Sequence, residues 1–148
     1  MINIRVGIVN KSNNPTPVYE TSGSSGMDIR AFLKESITLK PLERVLIPTG
    51  LYFEIPEGYE IQIRSRSGLT LKRGLMVLNG IGTIDADYRG ELGVILCNMS
   101  SEEQIIEPGD RIAQIVLMKV EEIKFNVKKE ITENTNRGSG GFGHTGEK

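Results

Sequence analysis

The segment from Asn79 to Gly90 concentrates residue types that can carry out acid–base chemistry. It holds two aspartates, Asp85 and Asp87, the aromatic Tyr88, and three glycines. Glycines allow the backbone to turn tightly or to approach a ligand closely. A carboxylate fixed beside such a backbone can orient a water molecule and accept its proton as a general base. The same pattern is also typical of a polar hairpin with solvated aspartates, so the segment alone leaves both interpretations open.

A second segment, Arg64-Ser65-Arg66-Ser67-Gly68, gathers groups that bind anions. It ends a predicted strand and begins a predicted short helix. Hydroxyl groups, guanidinium groups and the free N–H groups of a helix start are therefore expected at one point, which suits phosphate. A capped helix beside an exposed arginine explains the same residues without a ligand.

The segment from Arg137 to Gly143 contains the pattern G-x-G-x-x-G. A dinucleotide fingerprint needs a helix after this pattern, and a phosphate-binding loop of the Walker type needs a lysine; neither requirement is met. Two interpretations remain. The segment is a frayed tail, or it is a flexible lid in which glycines wrap phosphates, Arg137 supplies charge and Phe142 stacks on a base.

Two further segments place an aspartate beside a glycine turn. Asp28 lies between Ser25 and Ala31, and Asp110 lies between Gly109 and Gln114. Neither segment is diagnostic taken alone, and an Asp–Arg pair at a turn has a sufficient structural explanation.

The counts of cysteine and histidine exclude several chemistries. The chain has one cysteine, Cys97, and one histidine, His144. A disulfide framework, a cysteine-based zinc site and a His-rich metal site are therefore excluded. A Ser-His-Asp triad would depend on a histidine in a glycine-rich tail, which argues against it. Cys97 lies in an apolar run and is expected to be a buried small hydrophobe.

Length and composition indicate one globular domain. The chain has 148 residues, a mass of 16.4 kDa and a formal net charge of -1. It lacks the basic excess of a nucleic-acid-binding module, and no apolar run approaches the roughly 20 residues that span a bilayer. The first residues alternate in polarity, unlike a signal peptide. We therefore expect a cytoplasmic protein that binds neither nucleic acid nor membrane.

Alternating apolar and polar residues predict half-buried strands at 2–8, 51–55 and 59–64. Continuous apolar runs at 45–47 and 94–97 predict strands buried on both faces. Prolines and glycine turns separate these runs, so an all-β sandwich or barrel is predicted.

One helix and one arm complete the predicted organisation. Ser67 is predicted to cap a helix of one or two turns that Gly74 ends. Residues 132–148 hold five glycines and one large apolar residue, Phe142, so they cannot form a core. The predicted division is a body over 1–131 and a flexible arm over 132–148.

Taken together and in order, the five segments resemble the five motifs of the trimeric deoxyuridine triphosphatases (dUTP pyrophosphatases). The resemblance runs from Ser25 to Gly146, and the spacing of Asn79, Asp85 and Tyr88 is that of the family. It implies a β jelly-roll subunit of a homotrimer with active sites at the subunit interfaces. It also implies Mg²⁺-dependent hydrolysis of dUTP to dUMP and pyrophosphate.

The same resemblance implies roles for residues around the nucleoside. Asp85 corresponds to the carboxylate that activates the water attacking the α-phosphate. Tyr88 corresponds to the ring packed under the deoxyribose, where it leaves no room for a 2′-hydroxyl. The uracil edge would be read by Asn79 and by the backbone of a hairpin, with contacts from Gly82, Thr83, Ile84 and Gly93.

The resemblance further implies how the phosphates are held. The body residues expected to bind them are Arg66, Ser67, Gly68 and Gln114. From the arm, which would close a neighbouring subunit's site, Arg137 is expected at the phosphates and Phe142 over the uracil, with Gly143 beside it. No residue is expected to ligate Mg²⁺ directly, although Asp28 and Asp110 would support the site, Asp28 through water near the metal.

The chain departs from the family pattern at two positions. Ser65 stands where a proline is common, which puts the rigidity of its loop in doubt, and His144 stands where the arm often has serine.

A dCTP deaminase, or a bifunctional relative, is the rival function within the superfamily, and the context of Tyr88 and Phe142 argues against it. A non-enzymatic nucleotide sensor or structural jelly roll is the rival of another class. The joint presence of Asp85, Arg137 and Phe142 argues against that one.

Overall fold

The computed structural model describes residues 2–131 and 134–147. Within them the chain forms eleven β-strands and one short α-helix. The strands are Gly7–Asn10 (β1), Met27–Arg30 (β2), Ile37–Leu39 (β3), Arg44–Pro48 (β4), Leu51–Glu54 (β5), Tyr59–Arg64 (β6), Leu75–Val77 (β7), Gly82–Ile84 (β8), Gly93–Asn98 (β9), Gln104–Ile106 (β10) and Arg111–Lys119 (β11), and the helix is Ser67–Arg73 (α1). The predicted all-β class is confirmed.

The described strands pair antiparallel in four small sheets. The largest has the order β2-β11-β6-β8, and a three-stranded sheet has the order β4-β9-β7. Two strand pairs, β1-β5 and β3-β10, complete the body. Alternate residues of these strands point into one shared apolar core. Its fully buried large members include Ile29, Ile47, Leu75, Leu92, Leu96, Ile106 and Ile112.

The predicted strand over residues 2–8 is wrong for its first part. Only β1, from Gly7, pairs with β5, and the ladder begins at the pair Gly7–Glu54. Continuing it would require Pro56, which has no N–H to donate and lies in a tight turn closed by the Tyr59 N–H. Residues 2–6 therefore have no strand partner, and Ile2 is exposed.

The two continuous apolar runs behave differently. In β9, the centre of its sheet, Val94, Leu96 and Cys97 are buried, which largely confirms the prediction of burial on both faces. In β4, an edge strand, the prediction is wrong because Leu46 is 65% exposed. The outer face of β4 thus presents an apolar side chain to the surface of this subunit.

Helix α1 confirms the predicted short helix and its end. Gly74 adopts a left-handed backbone conformation, φ 65°, and its N–H donates to the Thr70 carbonyl. A side chain at Gly74 would place its Cβ 2.8 Å from the Ser100 nitrogen. The prediction that Ser67 caps the start is wrong, because the N-cap position is Arg66 and no side chain caps it.

The packed body ends at β11. The Val120 N–H still donates to the Gly58 carbonyl, but residues 121–131 form no helix or strand and are exposed. The predicted boundary between 131 and 132 stays a prediction, because residues 132 and 133 lie outside the described residues. Residues 134–147 form successive turns, such as the one closed by the Gly138 N–H on the Thr135 carbonyl.

Cys97 is confirmed as a buried side chain, and this burial raises the pKa of its thiol. A raised thiol pKa leaves little reactive thiolate at neutral pH. No helix in the described part of the chain is long and apolar enough to cross a membrane.

Candidate active site

A cavity of about 200 Å³ opens between the two larger sheets. It contains six of the residues that the sequence predicts at the nucleoside, which are Asn79, Gly82, Thr83, Ile84, Tyr88 and Gly93. Its other walls are Leu46, Ile63, Val77, Glu91 and Ile95. The structure therefore brings the body residues that are predicted to bind the nucleoside together at one place.

The cavity exists because the segment from β8 to β9 passes from one sheet to the other. Strand β8 pairs with β6, with Gly82 opposite Ile63, whereas β9 pairs with β4 and β7. No ladder joins β8 to β9 among the described strands. The predicted hairpin from Gly82 to Gly93 is therefore wrong: this segment connects two sheets and leaves the cavity between them.

Two glycines in the cavity lining allow close packing of its side chains. A Cβ on Gly93 would lie 2.7 Å from the Leu46 Cδ1, and one on Gly82 would lie 3.1 Å from the Ile63 Cβ. The wall at both points is main chain, whose N–H and C=O groups can form hydrogen bonds with a ligand. A side chain at either position would press against Leu46 or Ile63 and displace it within the cavity wall.

Asp85 and Tyr88 lie in the turn that follows β8. The Tyr88 N–H donates to the Asp85 carbonyl over 3.2 Å, which holds the turn. The Asp85 side chain is exposed. The Tyr88 hydroxyl donates to the Glu91 carbonyl over 2.9 Å. The ring is thus anchored at its hydroxyl end, while the exposed Asp85 carboxylate can contact water.

A second cluster of site residues surrounds Asp28. Its Oδ1 accepts from the Arg66 Nε over 2.9 Å, and its Oδ2 accepts from the Arg111 Nη1 over 3.4 Å. Both arginines also line a cavity of about 220 Å³ together with Arg73 and Asp110. The lining holds three guanidinium groups and one carboxylate, Asp110, and beside it Arg111 pairs with Glu20 over 3.5 Å as well as with Asp28. Guanidinium groups are good partners for anions such as phosphate.

Gln114 and Ser65 tie this cluster to the sheets. The Gln114 Nε2 donates to the Ser65 carbonyl over 3.0 Å, and the Ser65 hydroxyl accepts from the Val77 N–H over 2.9 Å. The loop before α1 is therefore fastened at a position where the family commonly has a proline. Ser67 and Gly68 follow it at the exposed start of α1.

The predicted site falls into three separate parts within one chain. The nucleoside cavity and the arginine-lined cavity share no lining residue. The arm residues Arg137, Phe142 and Gly143 line neither of them. The Phe142 side chain is fully exposed, and the Arg137 Nε donates to the Gly140 carbonyl within the arm.

The sequence did not predict three charged residues of the site, which are Arg73 and Arg111 at the arginine-lined cavity and Glu91. Arg111 pairs with Asp28 across the sheet, and Glu91 lines the nucleoside cavity. The position of Arg111 directly after Asp110 in the fourth segment was the available signal. Glu91 gave no comparable signal, since a lone glutamate after a glycine is common on any surface.

The described residues contain no group of three or more His, Cys, Asp or Glu side chains that could hold a metal ion. Asp28, which was predicted to act through water, has both carboxylate oxygens in contact with arginines. Asp110 is also engaged, because its Oδ2 accepts from the Glu107 N–H over 2.9 Å.

An all-β subunit with one tight cavity and one arginine-lined cavity has the parts of a nucleotide-binding protein: the first suits a nucleoside and the second suits phosphates. Comparison with known families identifies the class of nucleotide-binding protein. The family model of the dUTPases matches residues 12–146. The chain belongs to the dUTPase family.

Curated relatives agree along almost the whole chain. The deoxyuridine 5'-triphosphate nucleotidohydrolase of Finegoldia magna is 59% identical over 97% of this chain and 99% of the relative. The enzyme of the same name from Fusobacterium nucleatum is 56% identical over 99% of this chain and 100% of the relative.

Solved structures show the same architecture. A mutant dUTPase of Staphylococcus bacteriophage 80alpha, solved with dUpNHpp, has a TM-score of 0.86 at 26% identity and covers 97% of this chain and 99% of its own. A mutant dUTPase from phage phi11 of S. aureus, whose structure describes the coordination of a structural Mg(II) ion, has a TM-score of 0.76 at 25% identity, covering 86% of this chain and 98% of its own. The predicted β jelly roll is confirmed.

Proposed function

We propose that this protein hydrolyses dUTP to dUMP and pyrophosphate, which lowers dUTP and supplies dUMP for thymidylate synthesis. The observation that carries the proposal is the nucleoside cavity of a chain of the dUTPase family. Six predicted residues meet in this cavity, and Asp85 follows directly after one of them, Ile84. A water molecule attacks the α-phosphorus, and the bond from that phosphorus to the bridging oxygen breaks. Pyrophosphate leaves, and the Asp85 carboxylate takes the proton of the water.

The cavity supports selection of uracil and deoxyribose. Uracil and cytosine have donor and acceptor reversed at positions 3 and 4 of the ring, which a fixed backbone next to Asn79 can distinguish. Thymine differs by a methyl group, worth only about 1–3 kcal/mol in an open pocket, so rigid walls are needed to reject it. Leu46 and Ile63, packed against Gly93 and Gly82, provide such walls. The Tyr88 ring lines the cavity, and we expect the sugar to pack against it.

The arginine-lined cluster supports binding of the phosphates. A triphosphate carries about four negative charges, which cationic groups must offset. Arg66 supplies one of them, with Ser67, Gly68 and Gln114 as further hydrogen-bonding partners. Arg66 is held in place by Asp28, which lies 20% exposed beside it. Arg137, Phe142 and Gly143 of the arm complete the site over the phosphates and the base.

The residues present fit a Mg²⁺ ion that arrives with the nucleotide. Mg²⁺ keeps several waters and is often bound through substrate phosphates. Since the Asp28 oxygens already meet two arginines, Asp28 reaches such an ion only through water. When bound, Mg²⁺ would offset the negative charge of the triphosphate and help to orient it.

Calorimetry with Mg²⁺ alone tests this assignment. We expect weak binding to the nucleotide-free protein and tighter binding in the presence of the non-hydrolysable analogue dUpNHpp, because the phosphates supply the ligands. Tight binding of Mg²⁺ to the nucleotide-free protein would instead indicate a protein cage that the proposal does not contain.

A homotrimer with shared sites explains why one chain holds the parts of the site separately. The subunit also leaves apolar side chains exposed, which is typical of an interface. Leu46 is 65% exposed next to the nucleoside cavity, and Ile123, Phe125 and Val127 are exposed at every second position after β11. We expect these side chains to be covered by neighbouring subunits, and the arm to close a site of another chain.

Replacing Tyr88 with alanine tests the discrimination between deoxyribose and ribose. We expect Tyr88→Ala to raise the turnover of UTP relative to dUTP, because removal of the ring leaves room for a 2′-hydroxyl. The ratio of kcat/KM for dUTP and UTP, measured in competition, reports the change. Tyr52→Ala is a matched control, since Tyr52 lies on β5 outside the cavity lining. An unchanged ratio in Tyr88→Ala would contradict the role given to its ring.

A pyrophosphate-release assay across dUTP, dTTP, dCTP and UTP tests the function itself. We expect strong preference for dUTP. Ammonia release from dCTP would support the rival deaminase, and no pyrophosphate release with nucleotide still bound would support a non-enzymatic sensor.

A further inference from the structure

The turn between β4 and β5 clamps the segment that carries the Tyr88 ring. The Thr49 hydroxyl donates to the Leu92 carbonyl over 2.6 Å, and the Gly50 N–H donates to the Glu91 Oε1 over 2.8 Å. The Leu92 N–H donates to the Leu51 carbonyl over 2.8 Å. Three hydrogen bonds therefore join residues 49–51 to residues 91–92, across more than forty positions of sequence.

The clamp is itself held firmly. Thr49 is 1% exposed, and its hydroxyl also accepts from the Leu51 N–H over 3.2 Å. Gly50 has φ 69°, and a Cβ there would lie 2.8 Å from the Ser12 nitrogen. The Gly50 carbonyl accepts from the Lys11 N–H over 2.8 Å. The Gly50 N–H is therefore presented to Glu91 from a turn with little freedom to move.

The clamp acts directly on the position of the tyrosine. The Glu91 carboxylate accepts a hydrogen bond from the Gly50 N–H, which holds Glu91 in place. The Glu91 carbonyl in turn accepts a hydrogen bond from the Tyr88 hydroxyl, so Glu91 also holds the hydroxyl end of the Tyr88 ring. The Tyr88 ring also packs closely against Gly90. A Cβ on Gly90 would overlap the Tyr88 hydroxyl and lie 2.5 Å from the Tyr88 Cζ. The Tyr88 ring therefore cannot move toward Gly90.

We propose that Glu91 and Thr49 are positioning residues that set the preference for deoxyribose over ribose by holding the Tyr88 ring in place. This inference rests on the proposed function. Without the Glu91 carboxylate the Gly50 N–H loses its partner and residues 88–91 gain freedom. The ring can then retreat, and the space for a 2′-hydroxyl opens without loss of the ring itself.

The test compares four variants with the wild type in kcat/KM for dUTP and for UTP, together with Tm. Glu91→Ala removes the acceptor, whereas Glu91→Gln keeps an oxygen that can accept from Gly50. Thr49→Val removes the hydrogen bond from the Thr49 hydroxyl to the Leu92 carbonyl, and Thr49 does not line the cavity. Glu57→Ala, an exposed carboxylate in the turn after β5, controls for the change in charge.

We expect the dUTP-to-UTP preference to fall about tenfold in Glu91→Ala, as for loss of a hydrogen bond to a charged group. It should fall in the same direction in Thr49→Val and stay within about threefold of wild type in Glu91→Gln, where a neutral acceptor remains. Glu57→Ala should match the wild type. A merely structural role would lower Tm or kcat without moving the preference.

Three results would overturn the inference. One is an unchanged preference in Glu91→Ala while the wild type discriminates well. Another is a loss in Glu91→Ala with none in Thr49→Val, which would mean that Glu91 contacts the nucleotide rather than holding the ring. A wild type that does not hydrolyse dUTP would overturn the proposed function, and this inference with it.

Discussion

Asp85→Asn should lower kcat for dUTP by roughly 10²–10⁴ while nucleotide binding stays nearly unchanged, since a general base contributes about that much. The substitution keeps the shape of the side chain and removes its basicity. It also leaves the turn intact, because Tyr88 bonds to the Asp85 carbonyl and not to its carboxylate. Single-turnover kinetics and titration with dUpNHpp measure the two quantities separately.

Asp87→Asn is the matched control for this prediction. Asp87 is an exposed aspartate in the same turn, two residues further along. We expect its kcat to stay within about threefold of wild type, because it is not the base. If Asp85→Asn also stays within a few-fold, or if Asp87→Asn causes the larger loss, the assignment of the base is wrong.

Mixing two inactive variants should restore activity if the base and the arm come from different subunits. Asp85→Ala keeps a working arm, and Arg137→Ala keeps the base. When equal amounts are unfolded, mixed and refolded, about a quarter of the sites in closed trimers should hold both groups, since each is intact with odds of about one half. Residues 121–137 span up to about 60 Å when fully extended.

The controls for mixing are each variant refolded alone and the wild type refolded under the same conditions. Mixed trimers must be demonstrated, for example by native mass spectrometry of differently tagged chains. Activity near a quarter of the refolded wild type is the expected result. Activity at the level of the separate variants, in proven mixed trimers, would show that the base and the arm of a site belong to one chain.

The sequence was sufficient to predict the parts of the site that depend on local pattern. Alternation along 59–64 placed Ile63 in a strand, and the glycines near Asp85 indicated close approach of a backbone. The strand is confirmed in the structure, where Ile63 lies opposite Gly82. The end of α1 at Gly74 was equally local, because only a residue tolerant of positive φ suits it.

Features that depend on distant pairing could not be read from the sequence. The Asp28–Arg66 ion pair and the Glu91–Gly50 bond join residues far apart in the chain. The absence of a strand over 2–6 depends on where β5 ends, and the exposure of Leu46 depends on β4 being an edge strand. The hairpin after β8 that the resemblance implied was wrong for the same reason, since a local motif does not specify which sheet a strand joins.

Hydrolysis of dUTP in H₂¹⁸O tests the central claim most directly. If a water activated beside Asp85 attacks the α-phosphorus, one ¹⁸O enters dUMP and the pyrophosphate carries none. Mass spectrometry of both products after a single turnover reads the position of the label. Label in the pyrophosphate, or release of dUDP and phosphate in place of dUMP and pyrophosphate, would contradict the proposed reaction.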